Sequence, residues 1–335
     1  MATDHAMIDP EGRTLGGARS RGRARSRATS RKLSVRARLR RDWVMLLLTL
    51  PGLLYFVIFH WIPLAGNIVA FVDYQPFIGL VQSTWVGLDN FVAIFADPSF
   101  WSAFRNTMVI TTVQTVLFFP IPIFLALLLN SVLSGKIRAF VQSVVYLPHF
   151  LGWVIIVAIF GQVVGATGVI PHLLGGLGLP RFDAMTSGTF FPFLVTIQSV
   201  WKDAGWGTII FLAALMNISP ELYESAACDG ANKVRRFWHV TLPGMAPVII
   251  LILILNLGSI LSVGFEQILL QRNNVGPEHG EVLDTYVYYH GIQDGQWGTS
   301  TAVGLIKGVV SLILVLAANK VAHIFGQEGI YSRER

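Results

Sequence analysis

The chain has 335 residues, of which 53% are hydrophobic and only 13% are charged. A soluble domain carries about 25% charged residues, so this composition argues against a soluble domain and indicates a multi-pass membrane protein. The single cysteine, Cys228, excludes a disulfide framework and any cysteine-based zinc site.

Residues 1–41 form a basic segment ahead of the first apolar stretch, and its basic residues run from Arg13 to Arg41. We interpret it as a disordered cytoplasmic tail that sets the topology and touches anionic lipid. Nucleic-acid binding is less favoured, because no aromatic side chains are interleaved to stack on bases. A cleaved signal peptide is disfavoured, since the tail is too long and the apolar stretch behind it can span a bilayer.

Six apolar segments follow, each long enough for a helix to cross a hydrocarbon core of about 30 Å. Backbone polar groups inside lipid must be satisfied within the segment, so we predict six transmembrane helices. Pro51 and Pro63 in the first, and Pro120 and Pro122 in the second, predict kinks. The predicted spans are 44–72, 105–133, 138–164, 189–216, 245–265 and 302–323.

When six spans alternate in direction, the basic residues of the short loops fall on the same side of the membrane as the tail. The opposite loops are acidic or weakly charged. Because positive charge marks the cytoplasmic side, we predict an all-α membrane protein with six transmembrane helices and both termini in the cytoplasm. The loop and terminal residues that carry the argument are Lys136, Arg138, Lys233, Arg235, Arg236, Lys320, Arg333 and Arg335.

A polar island at residues 219–243 lies between the fourth and fifth spans, on the predicted cytoplasmic side. Ser219 can cap a helix whose first residue is Pro220. Asp229-Gly230 can end it, because glycine accepts the left-handed backbone of a tight turn. We predict a short helix, a glycine turn, a second short helix and a stop at Pro243, forming a protein-docking knob.

An alternative interpretation of the island is an amphipathic helix on the membrane surface, with Leu222, Phe237 and Trp238 dipped into lipid. Residue types alone leave both interpretations open.

The core of the island reads Glu224-Ser225-Ala226-Ala227-Cys228-Asp229-Gly230-Ala231 and closes with Leu242-Pro243. It resembles the cytoplasmic EAA loop of the permease subunits of maltose-type bacterial ATP-binding-cassette (ABC) importers, with Ser225 where that family often has alanine. The resemblance covers residues 42–331 and is greatest to the branch that imports complex oligosaccharides. Tyr289-His290 departs from that branch, which often carries an arginine there. The other blocks that carry the resemblance are 50–77, VGLDNF (86–91), YLPHF (146–150), 201–215, GFEQILL (264–270), DTYVYYHGI (284–292) and GQEGIY (326–331).

The resemblance implies a permease domain over 42–331 in the bacterial cytoplasmic membrane, forming half of the path for an oligosaccharide or other carbohydrate. The implied partners are a second permease subunit, two ABC ATPase subunits and an extracytoplasmic solute-binding protein. ATP and magnesium would bind to the ATPases, so this chain would hold no cofactor and no metal. The residues that would contact an ATPase and transmit its movement are Glu224, Ala226, Ala227, Asp229, Gly230, Ala231, Leu242 and Pro243.

The sequence lacks the short motifs of common catalytic sites. Gly135-Lys136 has neither the upstream glycine nor the following serine or threonine of a phosphate-binding loop. The H-E-x-x-H, C-x-x-C and G-x-S-x-G patterns are absent as well. His149 reads as a packed or interfacial residue rather than a ligand. We therefore predict a transport component and not an enzyme.

The fourth apolar segment carries two charges near its middle, Lys202 and Asp203, between Trp201 and Trp206. Charges at that depth usually face a cavity or the bundle interior. Neighbours on a helix do not face each other, so the two charges need not pair. The indole rings are able to stack on sugar faces, which makes this segment a candidate substrate path. Helix packing or interface anchoring is the alternative.

Glu266 at the end of the fifth span and Lys307 in the sixth are further candidates for the substrate path. A structural ion pair or a snorkelling lysine is the competing interpretation. The loop over 266–300 is expected to contact the solute-binding protein or the partner permease, or else to be a plain extracellular loop.

Three other functions remain open from the sequence. A permease of this kind could carry a non-sugar solute. An independent channel or secondary carrier would need inverted repeats with broken helices at the midplane, and no convincing repeat relates the two halves. A membrane-embedded enzyme would need convergent histidine or acidic residues at membrane depth, and only the pair at 202–203 comes close.

Overall fold

The computed structural model describes residues 42–324 and 326. The basic tail at 1–41 and the end of the chain at 327–335, with Arg333 and Arg335, lie outside the described residues. The predicted boundary between tail and permease domain therefore stays a prediction. The chain divides into two compact units, one up to Ile62 and one from Pro63 onward.

The described part of the first unit is a single helical stretch made of α1, Trp43–Phe56, and a π-helical turn, Val57–Trp61. Pro51 lies inside α1. The ring of Tyr55 packs against that of Phe59, with the ring centroids 5.2 Å apart. A helix that is apolar all round is typical of a membrane span.

The remaining elements are mostly helices. The first seven are α2 (Ile62–Ala65), α3 (Asp89–Ala96), α4 (Pro98–Val113), α5 (Pro120–Ser131), α6 (Gly135–Tyr146), α7 (Trp153–Val164) and α8 (Val169–Gly176). The next are α9 (Phe191–Met216), α10 (Pro220–Cys228), α11 (Lys233–Arg236), α12 (Leu242–Gly258), α13 (Phe265–Leu269), α14 (Arg272–Val275), α15 (Pro277–Gly280), α16 (Leu283–Tyr286) and α17 (Trp297–Ile324). Strands β1 (Val72–Asp73) and β2 (Thr84–Trp85) pair antiparallel, with Val72 opposite Trp85. Tighter 3-10 turns cover Gly66–Phe71, Leu80–Gln82 and Leu147–Phe150, and wider π turns cover Gln114–Phe118, Phe237–Thr241 and Val287–Gln293.

Five helical stretches among the described residues are long and apolar enough to cross a membrane. They are Trp43–Phe71, Pro98–Ser131, Trp153–Gly176, Lys233–Gly258 and Trp297–Ile324. The described residues are thus mostly helical, and the five stretches are consistent with an all-α, multi-pass membrane protein. The predicted fourth span, 189–216, forms α9 almost residue for residue. It is not among the five, because Lys202, Asp203 and other polar residues lower its hydropathy.

The predicted third span, 138–164, is not one helix. α6 ends at Tyr146, and a 3-10 turn and an extended residue, Gly152, separate it from α7. Pro148 contributes to this break, because proline lacks the N–H that would continue the helical hydrogen bonding. The membrane-crossing candidate instead joins α7 to α8, so the prediction placed this span too early in the chain.

The predicted helix stop at Pro243 is also wrong. α11, a π turn and α12 run on without interruption from Lys233 to Gly258, so the fifth span begins earlier than the predicted 245. The helix continues because the π turn at Phe237–Thr241 lies just before Pro243 and makes room for the proline ring.

Three π turns each end two residues before a proline, namely Pro63, Pro120 and Pro243. In each, the residue just before the proline donates its backbone N–H to the carbonyl five positions back, as Leu242 does to Phe237. A proline ring clashes with the carbonyl four positions back in a regular α-helix. The extra residue of a π turn widens the helix at that point and lets it continue past the proline.

α9 is the central helix of the second unit, since it packs against α4, α5, α6 and α12. Gly205 provides the tightest approach, because a Cβ built there would lie 2.2 Å from the carbonyl oxygen of Val145 in α6. Gly207 faces Pro122 with 3.3 Å to its Cγ. Both glycines therefore serve close helix packing, and α9 is unbroken at this point.

Candidate functional site

The 219–243 hairpin is closed by capping interactions that follow from its sequence. Ser219 Oγ accepts a hydrogen bond from the backbone N–H of Glu221, 3.3 Å away. Gly230 has φ of +72°, in the left-handed region. The N–H of Ala231 donates to the carbonyl of Ala226 at 2.9 Å, and that of Gly230 to the carbonyl of Ala227 at 3.0 Å. These two bonds form a Schellman motif, which ends α10 at a glycine as the sequence predicts.

The second half of the hairpin starts at Asn232, whose side-chain oxygen accepts from the N–H of Arg235 at 2.8 Å. Its two helical arms are joined by a hydrogen bond between the hydroxyls of Tyr223 and Thr241, 3.0 Å apart. This bond fixes α10 against the π turn at Phe237–Thr241. The hairpin is therefore a defined unit rather than an extended loop.

The hairpin is anchored on the helical bundle through Ile218 and Met245, which belong to one buried cluster with Phe211 of α9 and Ala126 of α5. Gly244 makes this contact possible, because a Cβ there would lie 2.8 Å from Ile218 Cδ1. A shift of the hairpin must therefore act directly on the packing between α9, α5 and α12.

The predicted docking residues lie at the surface of the hairpin. Glu224, Ala227, Asp229, Gly230 and Pro243 are exposed. The partly buried members of the set are Ala226, Ala231 and Leu242. Leu222 and Trp238 are also more than half exposed. Large exposed apolar side chains beside short ones form a contact surface of the kind that a second molecule covers.

The charged pair of α9 is joined to the 3-10 turn after α6 through His149. Lys202 Nζ donates to the backbone carbonyl of His149 at 2.6 Å, and Asp203 Oδ1 lies 2.8 Å from His149 Nδ1. Lys202 and Asp203 are 3.7 Å apart at their charged atoms, so the two adjacent residues also contact each other. The sequence predicts a packed or interfacial role for His149, and its spacing gives no sign that it contacts both of these charges.

The two tryptophans of this helix make separate ring contacts. Trp206 stacks on the ring of His149, with centroids 4.4 Å apart and the planes within 5°. Trp201 meets Phe160 of α7 edge to face at 6.0 Å. Both indoles remain more than one-third exposed in this chain. The structure therefore brings Lys202, Asp203, His149 and Trp206 together and places Trp201 in a different contact.

A buried glutamine network crosses from α9 to the segment after α12. Gln198 donates to Gln271 at 3.0 Å and accepts from Gln267 and Gln271 at 2.8 and 2.9 Å. Gln267 also donates to the carbonyl of Val195 at 2.9 Å. The side-chain amides of these three glutamines are thus all hydrogen-bonded, and their bonds stabilise the packing of α13 against α9. No sequence pattern indicates this network, because Gln198 lies about 70 positions before Gln267 and Gln271.

A cavity of about 160 Å³ lies where α4 meets the C-terminal end of α12. One side of its polar lining comes from α4 and the π turn at Gln114–Phe118. The other side comes from the end of α12 and the residues just after it. Polar groups within apolar helices mark water-filled or ligand-filled paths more often than lipid contacts. The polar residues are Thr111, Gln114, Thr115, Asn256, Ser259 and Ser262.

Lys307 and Glu266 lie in different surroundings. Lys307 forms an ion pair with Asp284 of α16. Glu266 is exposed in the first turn of α13. The Lys307 contact is the arrangement expected of a structural ion pair, while Glu266 is accessible.

The segment over 266–300 is folded and partly buried rather than an open loop. Arg272 pairs with Glu281 at 3.0 Å and lies over the ring of Tyr289 at 3.9 Å. The hydroxyl of Tyr286 donates to Asp97 at 2.6 Å. Burial and this carboxylate raise the pKa of the Tyr286 hydroxyl well above its ordinary range. Burial alone would raise the pKa of Asp97, but the hydrogen bonds from Tyr286 and Ser99 keep it below its usual value.

No group of three or more histidine, cysteine, aspartate or glutamate side chains is placed to hold a metal ion in the part of the chain described here.

Comparison with protein families decides the class of the molecule. Residues 118–326 match the family described as "Binding-protein-dependent transport system inner membrane component". The chain belongs to this family. It is therefore a membrane permease of the ABC importer class, and the resemblance drawn from the EAA loop is confirmed.

Curated relatives of the permease cover nearly the whole chain. The polygalacturonan/rhamnogalacturonan transport system permease protein YteP of Bacillus subtilis (strain 168) is 44% identical over 85% of this chain and 89% of its own. Protein LplB of the same organism is 43% identical over 89% of this chain and 94% of its own.

Solved structures give the same fold. A chain of a bacterial ABC transporter involved in the import of the acidic polysaccharide alginate is 36% identical and superposes with a TM-score of 0.80. The match covers 87% of this permease and 98% of that chain. A second structure of the alginate transporter, in complex with an alginate pentasaccharide-bound periplasmic protein, matches equally well, with a TM-score of 0.80 at 36% identity.

Proposed function

We propose that this permease forms half of the membrane path of an importer for an oligosaccharide, delivered by a solute-binding protein and driven by ATP. The observation that carries the proposal is the 44% identity to YteP over most of both chains. The alginate transporter supports it, since a neighbour of the same fold has been captured with a saccharide-loaded periplasmic protein. An acidic oligosaccharide is the first substrate class to test.

The proposed topology has six crossings with both termini in the cytoplasm of a bacterial inner membrane. α9 is the sixth crossing helix in addition to the five apolar stretches. Its 26 residues extend about 39 Å, enough for a hydrocarbon core of about 30 Å. The charges of α9 are compatible with this placement, because they bind to His149 and to each other instead of facing lipid.

The 219–243 hairpin is proposed to dock on an ABC ATPase. Support comes from its shape. Glu224 and Asp229 are exposed close to the Schellman turn at Gly230. Ile218 and Met245, at the base of the hairpin, pack in a buried cluster with α5 and α9. The proposed assembly contains a second permease and two ATPases. ATP and magnesium would be bound by the ATPases, and this chain would carry out no reaction itself.

The proposed substrate path runs beside the middle of α9. Trp206 and Trp201 offer exposed rings for stacking on sugar faces, and Lys202 and Asp203 supply polar contacts. Glu266 is proposed to contact the substrate at the entrance, where it is exposed. Lys307 is given only a supporting role, because its ammonium is paired with Asp284.

The test is import by the complete transporter reconstituted in proteoliposomes, with radiolabelled acidic and neutral oligosaccharides of equal length. Uptake that needs ATP and the binding protein is expected for one saccharide class. Trp206→Ala and Trp201→Ala are expected to lower uptake while assembly is unchanged. Trp101→Ala is the matched control, because that indole is exposed on α4 and donates to the carbonyl of Phe95. Wild-type uptake by both α9 variants would overturn the path, and uptake of no saccharide would overturn the substrate class.

A further inference from the structure

The hairpin between the first two apolar stretches ends in an exposed apolar tip at residues 74–83. Phe77 and Val81 are completely exposed, and Ile78 and Leu80 are 45% and 40% exposed. Single apolar residues on a surface are ordinary, but four within five positions form a patch. Such a patch indicates that something apolar covers this tip.

The base of the hairpin is held firmly on the second unit. Asn90 Nδ2 donates to the carbonyls of Ala70 and Val72 at 2.9 and 3.1 Å. The ring of Phe71 stacks on that of Trp85, with centroids 5.8 Å apart and planes within 11°. A fixed base means that the tip projects in one direction rather than sweeping through many.

The tip itself is also closed by its own hydrogen bonds. Ser83 Oγ donates to the carbonyl of Gly79 at 2.9 Å and accepts from the N–H of Gln75 at 3.3 Å. Gly79 has φ of +79°, which glycine adopts without strain. The exposed side chains are therefore presented by an ordered turn.

Charge and position indicate what covers the tip. Residues 74–83 contain no aspartate, glutamate, lysine or arginine. The hairpin starts directly where the apolar stretch Trp43–Phe71 ends. Phe77 is five residues beyond Val72, so its backbone is at most about 17 Å from that point. Tyr74 is the first residue of the tip and Trp85 follows it closely, and these two residue types are enriched where membrane meets water.

The apolar surface also continues from the hairpin onto a membrane-crossing helix. A groove of about 670 Å³ is lined by Trp85 and Leu88 on one side and by Leu305 and Val309 of α17 on the other. The apolar face that begins at the base of the hairpin thus joins the exposed apolar surface of α17. A soluble protein that docks reversibly would gain no ionic steering from an uncharged tip.

We propose that residues 74–83 insert into the interfacial layer of the lipid bilayer. Phe77, Ile78, Leu80 and Val81 enter the boundary between headgroups and acyl chains, while the amides of Gln75 and Gln82 remain among the headgroups. The hairpin then acts as an anchor that sets the depth of the first crossing and the tilt of α17. This inference needs only the membrane setting of the protein and does not rest on the transported solute.

The test is photocrosslinking of the complete transporter in lipid nanodiscs, with p-benzoylphenylalanine in place of Phe77. Illumination is expected to give an adduct of phospholipid mass on the peptide that contains the label. The same label in place of Asn273, an exposed polar residue of α14, is the control and is expected to give none. Val81 is labelled as well, so that a folding defect at one position does not decide the result.

Adducts with the second permease or with the binding protein, in place of lipid, would overturn the proposal and assign the tip to that partner. Absence of a lipid adduct at both Phe77 and Val81 would overturn it too. A transporter that fails to import any saccharide but gives the lipid adduct would count against the proposed function alone.

Discussion

The 219–243 hairpin and the middle of α9 both carry charged side chains, but different contacts hold them in place. The capping bonds that shape the hairpin span two to five residues, from Ser219 to the turn at Gly230. The charges of α9 contact His149, which lies 53 and 54 positions away. The hairpin is therefore shaped by its own sequence, whereas the α9 cluster exists only once the bundle has packed.

This difference suits the two regions to different functions. A hairpin shaped by local hydrogen bonds keeps its conformation when it moves as a rigid body, as the proposed docking on an ATPase requires. A cluster shaped by packing responds to any change in the distance between α6 and α9. The three changes that follow disturb the two regions in different ways.

The largest effect is expected from Gly230→Val in the hairpin. The residue has φ of +72°, where a β-branched side chain is strained by about 1–3 kcal/mol. We expect the turn to open and ATP-driven import to fall by about tenfold or more, while the chain still inserts into the membrane. Import by proteoliposomes, with the amount of assembled complex measured in parallel, checks this.

The matched control is Gly135→Val at the start of α6. Gly135 is exposed, has an ordinary φ, and has open space where a Cβ would lie. Import is expected to be unchanged. Equal import by the Gly230 variant and the wild type would show that the turn plays no part in coupling.

A smaller effect, on stability rather than on coupling, is expected from Gly205→Ala in α9. The new Cβ would lie 2.2 Å from the carbonyl oxygen of Val145, so α6 must move away. Such overpacking costs about 1–3 kcal/mol of unfolding free energy. Denaturant unfolding in detergent measures the loss. Gly161→Ala in α7 is the control, because no atom lies within 4 Å of its Cβ position. An unchanged midpoint for Gly205→Ala would mean that α6 is not locked to α9.

The smallest effect is expected from a double-mutant cycle on His149→Ala and Asp203→Ala. Their contact at 2.8 Å should give a coupling energy of about 1 kcal/mol in unfolding free energy. A second cycle on Tyr223→Phe and Thr241→Val in the hairpin, whose hydroxyls are 3.0 Å apart, gives the comparison value. Strictly additive single variants at 149 and 203 would show that the contact between His149 and Asp203 adds nothing to stability.

Features that depend on neighbours in sequence were predictable. The cap at Ser219 and the end of the helix at Gly230 follow from residue types, because each needs only a few adjacent backbone groups. The extent of α9 was predictable from its apolar run bounded by polar residues. The family was predictable because the EAA loop is such a local signal.

Features that depend on distant contacts were not predictable. The partner of Asp203 is His149, and no pattern in the sequence connects the two. The glutamine network at Gln198 joins residues about 70 positions apart. The continuation of the helix past Pro243 is not predictable for another reason, because a proline commonly ends a helix and the sequence does not reveal the π turn that precedes this one.

The π turns have a consequence for how the chain could change over time. Each residue of a helix turns the chain by about 100°. A π turn fits one residue more into about the same rotation, so α4 and α5 keep their relative facing across the turn at Gln114–Phe118 although the chain there is one residue longer. Deleting one residue there would leave the facing of α5 nearly unchanged but would bring the proline ring against the carbonyl four positions before it. The π turns ahead of Pro63, Pro120 and Pro243 thus let a long helix contain a proline without a change in the side that the following residues present.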